Sequence, residues 1–374
     1  MDYLCRTWAE IDTDAIVHNC RLVKEHCGKD VYAVVKADAY GHGAVKVAEA
    51  LCESGVVCGF AVSNIAEAEE LRGAGISLPI LILGYTPTDV AARLWKMDIS
   101  QCVYSKDYAQ ALSNAAVCEG KKIKAHLKLD TGMGRLGFDC RRDTLDGIGE
   151  AKEALSLGGL DFEGVFTHFS SADSEEAGDV AFTKAQYSRF MRAVEILEAD
   201  GFKFKTKHCG NSAATLTQDL DGTDAVRAGI IMYGLSPDAN MPISSDFRPA
   251  MSLISVVSEV KTVEAETPIN YGRTYTSKSK RKIATVTAGY ADGVPRLLSN
   301  CGEVLVHGRR AKIVGRVCMD QFCIDVTDID DVRMGDKVII FGGSIKADEV
   351  AGHAQTINYE IICGISKRVP KVYI

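Results

Sequence analysis

Eight short apolar runs, separated by helix-like segments, occupy the first two-thirds of the sequence, and this alternation constrains the fold more than any other feature. Continuous apolar strands that alternate with helices indicate parallel β-α-β units, because each strand is covered on both faces. Eight such strands are the number that closes a (β/α)8 barrel of the TIM type, which takes about 250 residues. The runs end at or near Lys36, Ser63, Gly84, Tyr104, Leu129, His168, His208 and Arg227.

The character of the sequence changes after a segment rich in proline and asparagine that runs from Ser236 to Pro249. Short strand-like runs follow it, which predicts a compact, mostly β second domain. We therefore predict an α/β fold: a (β/α)8 barrel over residues 1–240, then a β-rich C-terminal domain over residues 241–374. The first ~10 residues, which alternate in polarity, are a candidate to pair with the β domain instead of the barrel. The predicted strands of that domain are 252–260, 282–287, 303–307, 312–317, 322–326 and 337–341.

Composition and charge disfavour several classes of partner. The formal net charge of −7 argues against nucleic acid and against an anionic membrane surface. The N-terminus carries no apolar signal segment, and no apolar run reaches the ~20 residues that cross a membrane. The 13 cysteines are therefore expected to be reduced thiols of a cytoplasmic protein. Their spacing predicts no zinc site, and we expect no metal.

A single lysine closes the first apolar run, and the residues around it form the most specific motif in the chain. The segment reads Val34-Val35-Lys36-Ala37-Asp38-Ala39-Tyr40-Gly41-His42-Gly43. A lysine at the C-terminal end of a barrel strand lies on the face where barrel enzymes bind ligands, although a lone lysine more often only extends into water. The ten-residue pattern resembles the cofactor-lysine motif of the alanine racemases, which use pyridoxal phosphate (PLP).

The resemblance implies a PLP-dependent racemase that interconverts L- and D-alanine and supplies D-alanine for cell-wall peptidoglycan. By resemblance, Lys36 carries PLP covalently and Tyr40 contacts its phosphate. Racemisation needs a proton donor on each face of the α-carbon, and the resemblance assigns Lys36 to one face and Tyr271 to the other. A phenol with an ordinary pKa of about 10 needs help to act as a base. His168 and Arg227 are implied to form a hydrogen-bonded chain that orients Tyr271.

Residues after the seventh and eighth strands are predicted to complete the cofactor site, since barrels often hold phosphate there. Ser212 offers a hydroxyl and Gly229 allows close backbone approach, although a helix cap and a turn are the ordinary uses of such residues. The resemblance places Arg227 against the pyridine nitrogen, and because arginine keeps its proton, that nitrogen stays unprotonated. The predicted cofactor-binding residues are Lys36, Tyr40, His168, Asn211, Ser212, Arg227, Gly229 and Ile230.

The substrate carboxylate needs a cation, and Arg135 offers a planar fork for it. By resemblance, Lys128 stands where the family has a lysine that is often carbamylated and bonds the arginine, here Arg135. The resemblance also implies that the backbone N–H of Met319 meets the carboxylate and that Tyr290 is a gate near the site. The resemblance also implies a homodimer in which Tyr271 and Met319 reach the cofactor of the partner subunit. The predicted supporting residues are Lys128, Tyr290, Asp320 and Lys367.

One position departs from the family pattern and leaves the substrate open. Lys367 stands where many alanine racemases carry a tyrosine close to the substrate side chain, and loss of that ring would enlarge the pocket. We therefore hypothesise activity on serine as well as alanine. The alternative function is an alanine/serine racemase for which serine is a main substrate. A PLP amino-acid decarboxylase of the same architecture is a further alternative, but its Cys-Asp/Glu-Ser motif occurs here only as Cys52-Glu53-Ser54, in the first helical segment. A non-enzymatic PLP-carrying barrel and a metabolic barrel without PLP complete the alternatives.

Overall fold

The computed structural model of the protein describes residues 6–374. The first five residues, on which part of the signal-segment prediction rests, lie outside this range. Within it the chain divides into two compact units, a barrel unit and a β-rich unit. The barrel unit comprises Ala15–Ala39 and Ala44–Arg248, and the β-rich unit comprises residues 6–14, Tyr40–Gly43 and Pro249–Ile374.

The barrel unit contains the eight parallel strands that the apolar runs predict. Each strand pairs in parallel with the next, and the eighth pairs with the first, so that the sheet closes on itself. The α/β barrel prediction is therefore confirmed. The strands are Asp30–Val34, Gly59–Val62, Ile80–Ile82, Ser100–Val103, Ile123–Asp130, Leu160–Phe166, Thr206–His208 and Ala225–Ala228, with a short extra strand, Phe138–Asp139, beside the fifth.

Helices alternate with these strands, and their sequences show why they form. The helix Ala44–Ser54 buries Ala44, Val47, Ala48 and Leu51, whose spacing makes one apolar face. Among residues 6–374 no helix combines the length and apolar character that crossing a bilayer requires. The α-helices are Thr13–Cys27, Ala44–Ser54, Ile65–Gly73, Ala92–Lys96, Lys106–Cys118, Ile148–Leu155, Ala177–Ala199, Ser212–Thr217, Ala347–His353 and Asn358–Cys363; the 3-10 helices are Thr88–Val90, Ile230–Tyr233, Tyr271–Arg273 and Arg296–Leu298.

The backbone after Lys36 turns before it reaches the first glycine of the motif. The three residues that follow Lys36 have φ between 52° and 54° and ψ between 47° and 50°, which is a left-handed turn. For residues with a Cβ this conformation costs roughly 1–2 kcal/mol each, so it persists only where the surroundings enforce it. Here Glu67 accepts a hydrogen bond from the Ala37 N–H at 2.8 Å, and Asp38 accepts one from the Ala44 N–H at 2.8 Å. The strained turn thus forms before Gly41, over Ala37, Asp38 and Ala39, and of these three only aspartate is a common turn residue.

The β-rich unit is built on six antiparallel strands that close into a ring. The strand Met251–Val263 pairs with Lys337–Phe341 over its first half and with Arg281–Val286 over its second half, which joins the two ends of the sheet. Thr7–Ile11 pairs with the same long strand, and Lys371–Tyr373 pairs with Thr7–Ile11. The other ring strands are Glu303–Val306, Arg309–Val314 and Phe322–Asp325, and a separate hairpin joins Pro268–Ile269 to Tyr275–Thr276.

One strand of this unit is displaced from its predicted position. The run predicted as 312–317 forms the strand Arg309–Val314. It begins earlier because His307 and Gly308, with φ of 49° and 74°, make a two-residue hairpin turn that pairs Val306 with Arg309. It ends earlier because Gly315, with φ of 74°, turns the chain out of the ladder.

The chain passes from the barrel unit to the β-rich unit through an irregular segment. Within the described range, residues 234–250 contain no helix or strand. The predicted boundary follows residue 240, whereas the barrel unit extends to Arg248. Asn19, fully buried, explains the extension, because its side chain donates to the Arg248 carbonyl at 2.8 Å and accepts from the Arg248 N–H at 2.9 Å. These two bonds fasten the end of the segment to a helix of the barrel unit.

Candidate active site

Arg227 is the buried centre of the polar residues in the barrel unit. Its guanidinium donates to the Nδ1 atoms of His208 at 2.9 Å and His168 at 3.1 Å, and to three backbone carbonyls. Among residues 6–374 no carboxylate lies within ion-pair distance of it. Burial lowers the pKa of Arg227 to about 10, so the side chain remains charged at neutral pH. Residues 6–374 therefore hold a cation in the interior of the barrel unit without a carboxylate counter-ion.

Four cationic side chains surround His168, which follows the sixth barrel strand. Burial, and then the charges of these four residues, lower the pKa of His168 well below its ordinary value. His168 is therefore neutral at physiological pH. Its Nδ1 accepts from Arg227, so the ring proton lies on Nε2. The cations come from the ends of three strands: Lys36 from the first, Lys128 and Arg135 from the fifth, and Arg227 from the eighth.

Lys128 and Arg227 share one aromatic ring inside the barrel. The Lys128 Nζ lies 5.6 Å, and the Arg227 guanidinium 5.2 Å, from the centroid of Phe166. These cation–π contacts offset part of the cost of burying the two charges. Burial is the largest cause of the lowered pKa of Lys128, and Arg135 and Arg227 add to it. The lowered pKa increases the fraction of neutral amine, which is the nucleophilic form.

The loop that carries Arg135 is organised by one carboxylate. Asp130, at the end of the fifth strand, accepts hydrogen bonds from the N–H groups of Gly132 and Gly134, both at 3.0 Å. Gly137 also passes close to it, since a Cβ there would lie 2.4 Å from the Asp130 nitrogen. These contacts make the loop tight. Arg135 itself is exposed at its surface.

The residues after the seventh and eighth strands are joined by a side-chain bond. Asn211 is the N-cap of the helix Ser212–Thr217 and accepts from the Ala214 N–H at 2.9 Å. Ser212 is the first helical residue, and its buried Oγ accepts from the Gly229 N–H at 2.9 Å. Because this bond uses a lone pair of Oγ, the hydroxyl proton stays available to a ligand oxygen. Ile230, fully buried, follows directly.

The remaining predicted residues belong to the β-rich unit. Tyr271, Tyr290 and Met319 are exposed by 75%, 44% and 53%, which is unusual for large apolar side chains. Together with Asp320 they line one open pocket of about 790 Å³. Tyr40 and Lys367 lie elsewhere in the unit: Tyr40 is buried beside Tyr359, with ring centroids 6.0 Å apart, and Lys367 is exposed.

A buried carboxylate fixes the backbone beneath that pocket. Asp292 has a fully buried side chain. Its carboxylate accepts two hydrogen bonds from the Arg6 guanidinium, both at 3.0 Å, and two from the Arg368 guanidinium, at 2.8 and 2.9 Å. It also accepts from the Gly289 N–H at 2.8 Å. The segment that carries Tyr290 then pairs with the segment that carries Met319 through two backbone bonds of 3.0 Å. Arg6 also donates to the Asp320 carbonyl at 3.3 Å and Arg368 to the Asp320 side chain at 2.8 Å, so the two arginines link Asp292 to the segment that carries Met319.

Sequence reasoning missed four residues that shape the site: Asp130, Phe166, His208 as an Arg227 acceptor, and Asp292. His126 is a fifth, since its Nδ1 lies 2.9 Å from the Nε2 of His208. One available signal was the two-residue period of a strand, which places His126 on the same face as Lys128. The bonds of Asp130 to Gly132 and Gly134 are local as well. The contacts of Phe166 and His208 with Arg227, and those of Asp292 with Arg6 and Arg368, join residues farther apart in the sequence, and no local pattern indicates them.

Comparison with known proteins identifies the family. The family model for the alanine racemase N-terminal domain matches residues 11–237, and that for the C-terminal domain matches residues 250–373. An alanine racemase from Desulforamulus reducens is 44% identical over 98% of this chain and 98% of its own length. The chain belongs to the alanine racemase family.

Solved alanine racemases share the whole architecture. The alanine racemase of Clostridium difficile 630 superimposes with a TM-score of 0.91 at 39% identity, over 100% of this chain and 97% of that one. The Bartonella henselae alanine racemase, solved with covalently bound pyridoxal phosphate, gives a TM-score of 0.88 at 27% identity over 99% and 100% of the two chains. The resemblance to the alanine racemases, an isomerase family that depends on PLP, is confirmed. These relatives do not favour the serine and decarboxylase alternatives.

Replacing Asp292 with asparagine is expected to destabilise the β-rich unit. Burial raises the pKa of Asp292, but the hydrogen bonds from Arg368, Arg6 and Gly289 outweigh it and hold the pKa below 3.8. Loss of the carboxylate leaves two forks without a charged acceptor, which costs about 3 kcal/mol of unfolding free energy. Urea denaturation measures this loss, and Glu49→Gln, which breaks an exposed ion pair, is the control, with a change within about 0.5 kcal/mol.

The same substitution predicts a change in acid sensitivity. Because the folded pKa of Asp292 is depressed, its stabilisation is fully present above the unfolded value of 3.8 and is lost as the pH falls below it. Asp292→Asn should therefore flatten the acid limb of the stability curve. An equal loss of stability by Asp292→Asn and Glu49→Gln would contradict the assignment of Asp292 as the central acceptor.

Proposed function

We propose that the protein interconverts L- and D-alanine with PLP as its cofactor and two residues as proton carriers. The observation that carries this proposal is the group of four cations around His168, two of which, Lys128 and Arg227, are buried. Positive charge held in a barrel mouth, with no carboxylate partner for Arg227 among the residues described, favours anionic ligands. The phosphate of PLP and the carboxylate of an amino acid are two such ligands.

The residues of the barrel unit fit PLP by their chemistry. Lys36 supplies an amine at the end of a strand, and the Ser212 hydroxyl with the backbone around Gly229 and Ile230 offers hydrogen-bond donors for phosphate. Arg227 can face an unprotonated ring nitrogen, since a guanidinium donates and does not accept. When bound, PLP withdraws electron density from the substrate α-carbon and makes its proton removable. A ring nitrogen kept unprotonated by Arg227 moderates that withdrawal and favours return of the proton to the α-carbon.

Two side chains move the proton in this proposal. The Lys36 amine takes or returns the α-proton on one face, and the phenol oxygen of Tyr271 does so on the other. His168 supports the second role, because its proton lies on Nε2 and can be donated to a phenol oxygen. Arg227 fixes that proton position by its own bond to Nδ1. The assignment of Tyr271 rests on the family resemblance of its segment and on its exposed side chain.

The substrate carboxylate is proposed to bind Arg135 and the backbone N–H of Met319. Carbamylation of Lys128 would give Arg135 an anionic neighbour, and the lowered pKa of Lys128 favours it because only the neutral amine reacts with carbon dioxide. Tyr290 is proposed as a gate, with Asp320 supporting the rim. The homodimer, the cytoplasmic location and the supply of D-alanine for peptidoglycan stay predictions.

Lys36→Ala is expected to abolish covalent cofactor binding. The purified protein should show a visible absorption band of a Schiff base that borohydride bleaches, because the lysine amine joins the PLP aldehyde. The variant should lack the band and racemase activity, while Lys29→Ala, which removes a lysine that binds a backbone carbonyl in the same unit, should keep both. A wild-type protein that stays colourless with added PLP would exclude the proposed cofactor.

A heterodimer of Lys36→Ala and Tyr271→Phe chains tests whether two subunits share each site. If Tyr271 acts on the partner subunit, one of the two sites in this heterodimer has both residues intact and the other has neither. The heterodimer, co-expressed with two different tags and purified, should then recover roughly half of the wild-type alanine racemase activity. The Lys36→Ala homodimer and the Tyr271→Phe homodimer, each assayed alone, are the two controls. Activity no higher than that of the two variants would place both residues in one chain or remove one of their roles.

The lysine at position 367 leads us to expect turnover of serine in addition to alanine. With lysine in place of a ring, the protein should turn over L-serine measurably, and Lys367→Tyr should lower kcat/KM for serine relative to alanine by about tenfold, since a filled pocket discriminates by size. Lys278→Tyr, at an exposed lysine of the same unit, controls for the added ring. Absence of detectable serine turnover by the wild-type protein would disprove the hypothesis.

A further inference from the structure

One fully buried glutamine holds the loop that follows the sixth barrel strand. Gln186 lies on the helix Ala177–Ala199. Its Nε2 donates to the His168 carbonyl at 3.2 Å, and its Oε1 accepts from the backbone N–H and the hydroxyl of Ser170, at 3.1 and 3.2 Å. These bonds fasten the loop on both sides of the buried Phe169. No step of the proposed reaction uses Gln186.

Both ends of the Gln186 amide are needed, because the loop presents one backbone acceptor and one backbone donor to it. The His168 carbonyl can only accept, so it faces Nε2, and the Ser170 N–H can only donate, so it faces Oε1. Turning the amide over would place acceptor against acceptor and donor against donor. An apolar side chain would leave both backbone groups without this partner, which is costly in the interior.

Arg227 binds the same stretch of chain through different atoms. Its Nη2 donates to the Thr167 carbonyl at 2.8 Å and to His168 Nδ1 at 3.1 Å. One guanidinium nitrogen thus meets a main-chain oxygen and the neighbouring ring, and it can serve both only while the His168 backbone stays in place. Gln186 holds that backbone at the His168 carbonyl. Two anchors, one on the carbonyl and one on the ring, therefore set the direction of the His168 Nε2–H.

The helix that carries Gln186 also contacts the loop that carries Arg135. A Cβ on Gly132 would lie 2.7 Å from the Phe182 ring and 3.2 Å from the Gln186 Cγ, so glycine lets the helix come this close. Phe182 and Gln186 are four residues apart and share one helix face. That face joins the loops after the fifth and sixth strands, and through them the candidate ligand of the substrate carboxylate and His168.

We propose that Gln186 is a positioning residue for one of the two proton transfers of racemisation. Its amide fixes the backbone of His168 and thereby the direction of the Nε2–H, which the proposed function assigns to the phenol oxygen of Tyr271. The effect on catalysis rests on the proposed function, whereas the state of the His168 ring concerns the barrel unit alone. Loss of the amide should therefore slow the transfer at Tyr271 and leave the transfer at Lys36 intact.

The test compares substitutions at two fully buried glutamines of the barrel unit in the holoenzyme. Gln186→Met and Gln186→Leu both remove the donor and the acceptor and differ in shape. Gln101→Met is the matched control, because Gln101 also makes three hydrogen bonds, with Thr86, Gly84 and Cys102. We expect Gln186→Met and Gln101→Met to lower the urea midpoint of unfolding by similar amounts, so that a difference in catalysis between them does not reflect stability.

The first readout is independent of activity. Nitrogen-15 NMR of histidine-labelled protein reports which ring nitrogen carries the proton and whether the other one accepts a hydrogen bond, and the His168 signal is assigned by its absence in His168→Gln. In the wild type and in Gln101→Met we expect a proton on Nε2 and a hydrogen-bonded Nδ1. In the Gln186 variants the Nδ1 signal should move downfield, because its bond to Arg227 weakens. An unchanged His168 spectrum would overturn the proposal.

The second readout is the deuterium isotope effect on racemisation, measured with α-deuterated alanine in both directions. If transfer at Tyr271 slows, it limits the rate more strongly. The isotope effect on kcat/KM should then rise in the direction in which Tyr271 removes the α-proton and fall in the direction in which Lys36 removes it. The value of kcat/KM should fall roughly tenfold in both directions, since displacement of a positioned group impairs the chemical step and a variant cannot change the equilibrium. Gln101→Met should keep the wild-type isotope effects.

The outcomes separate the positioning role from a structural one. Isotope effects that stay unchanged, or that shift alike in both directions, would overturn the positioning role even if kcat/KM falls. If both Gln186 variants fail to fold while Gln101→Met folds, the amide is required for the fold itself, and the proposal is again overturned. A wild-type protein inactive on alanine would instead refute the proposed function and leave the NMR result on His168 standing.

Discussion

The candidate site depends on one buried guanidinium that has no carboxylate partner in the part of the chain that the structure describes. Arg227 is held by three carbonyls and by the lone pairs of His208 and His168, so its position is set by neutral acceptors and its charge remains uncompensated. A buried cation of this kind is costly unless something offsets it. The ring of Phe166 contributes, and an anionic or electron-rich ligand would contribute more. The requirement for neutral acceptors explains why two histidines surround Arg227 where an acidic residue would be the ordinary choice.

The backbone conformation at the ends of two strands also positions residues of the candidate site. The left-handed turn after Lys36 is enforced by Glu67 and Asp38, and the tight loop after the fifth strand is organised by Asp130. Strained or tightly turned backbone survives only where several contacts determine it. In both places the strain lies directly beside a residue proposed to handle ligand, Lys36 in one case and Arg135 in the other. In the β-rich unit ion pairs have this role, since Asp292 binds Arg6 and Arg368 beneath the pocket rim that carries Tyr290 and Met319.

The sequence predicted the barrel because its evidence is local. Apolar runs and helical spacing repeat within ten to twenty residues, and the C-terminal ends of parallel strands share one face. Lys36, Lys128, His168 and Arg227 could therefore be placed near one another before any contact was known. Where local evidence misled, the cause was also local: the two-residue turn at His307 and Gly308 shifted a strand, and two alanines on either side of Asp38 adopted a left-handed turn ahead of the glycines.

What the sequence determined by itself was the eight-strand barrel, the β-rich second half and the strand ends that carry reactive side chains, together with the family motif around Lys36. What only the tertiary structure decided was how those side chains are held. The bond between His126 and His208 spans 82 positions, and the bonds of Asp292 to Arg6 and Arg368 span 286 and 76. Such pairs leave no periodic trace, because hydrogen bonding between distant residues depends on the register of strands that have already assembled. The proton positions and pKa shifts follow from burial, which a single sequence expresses only after it has folded.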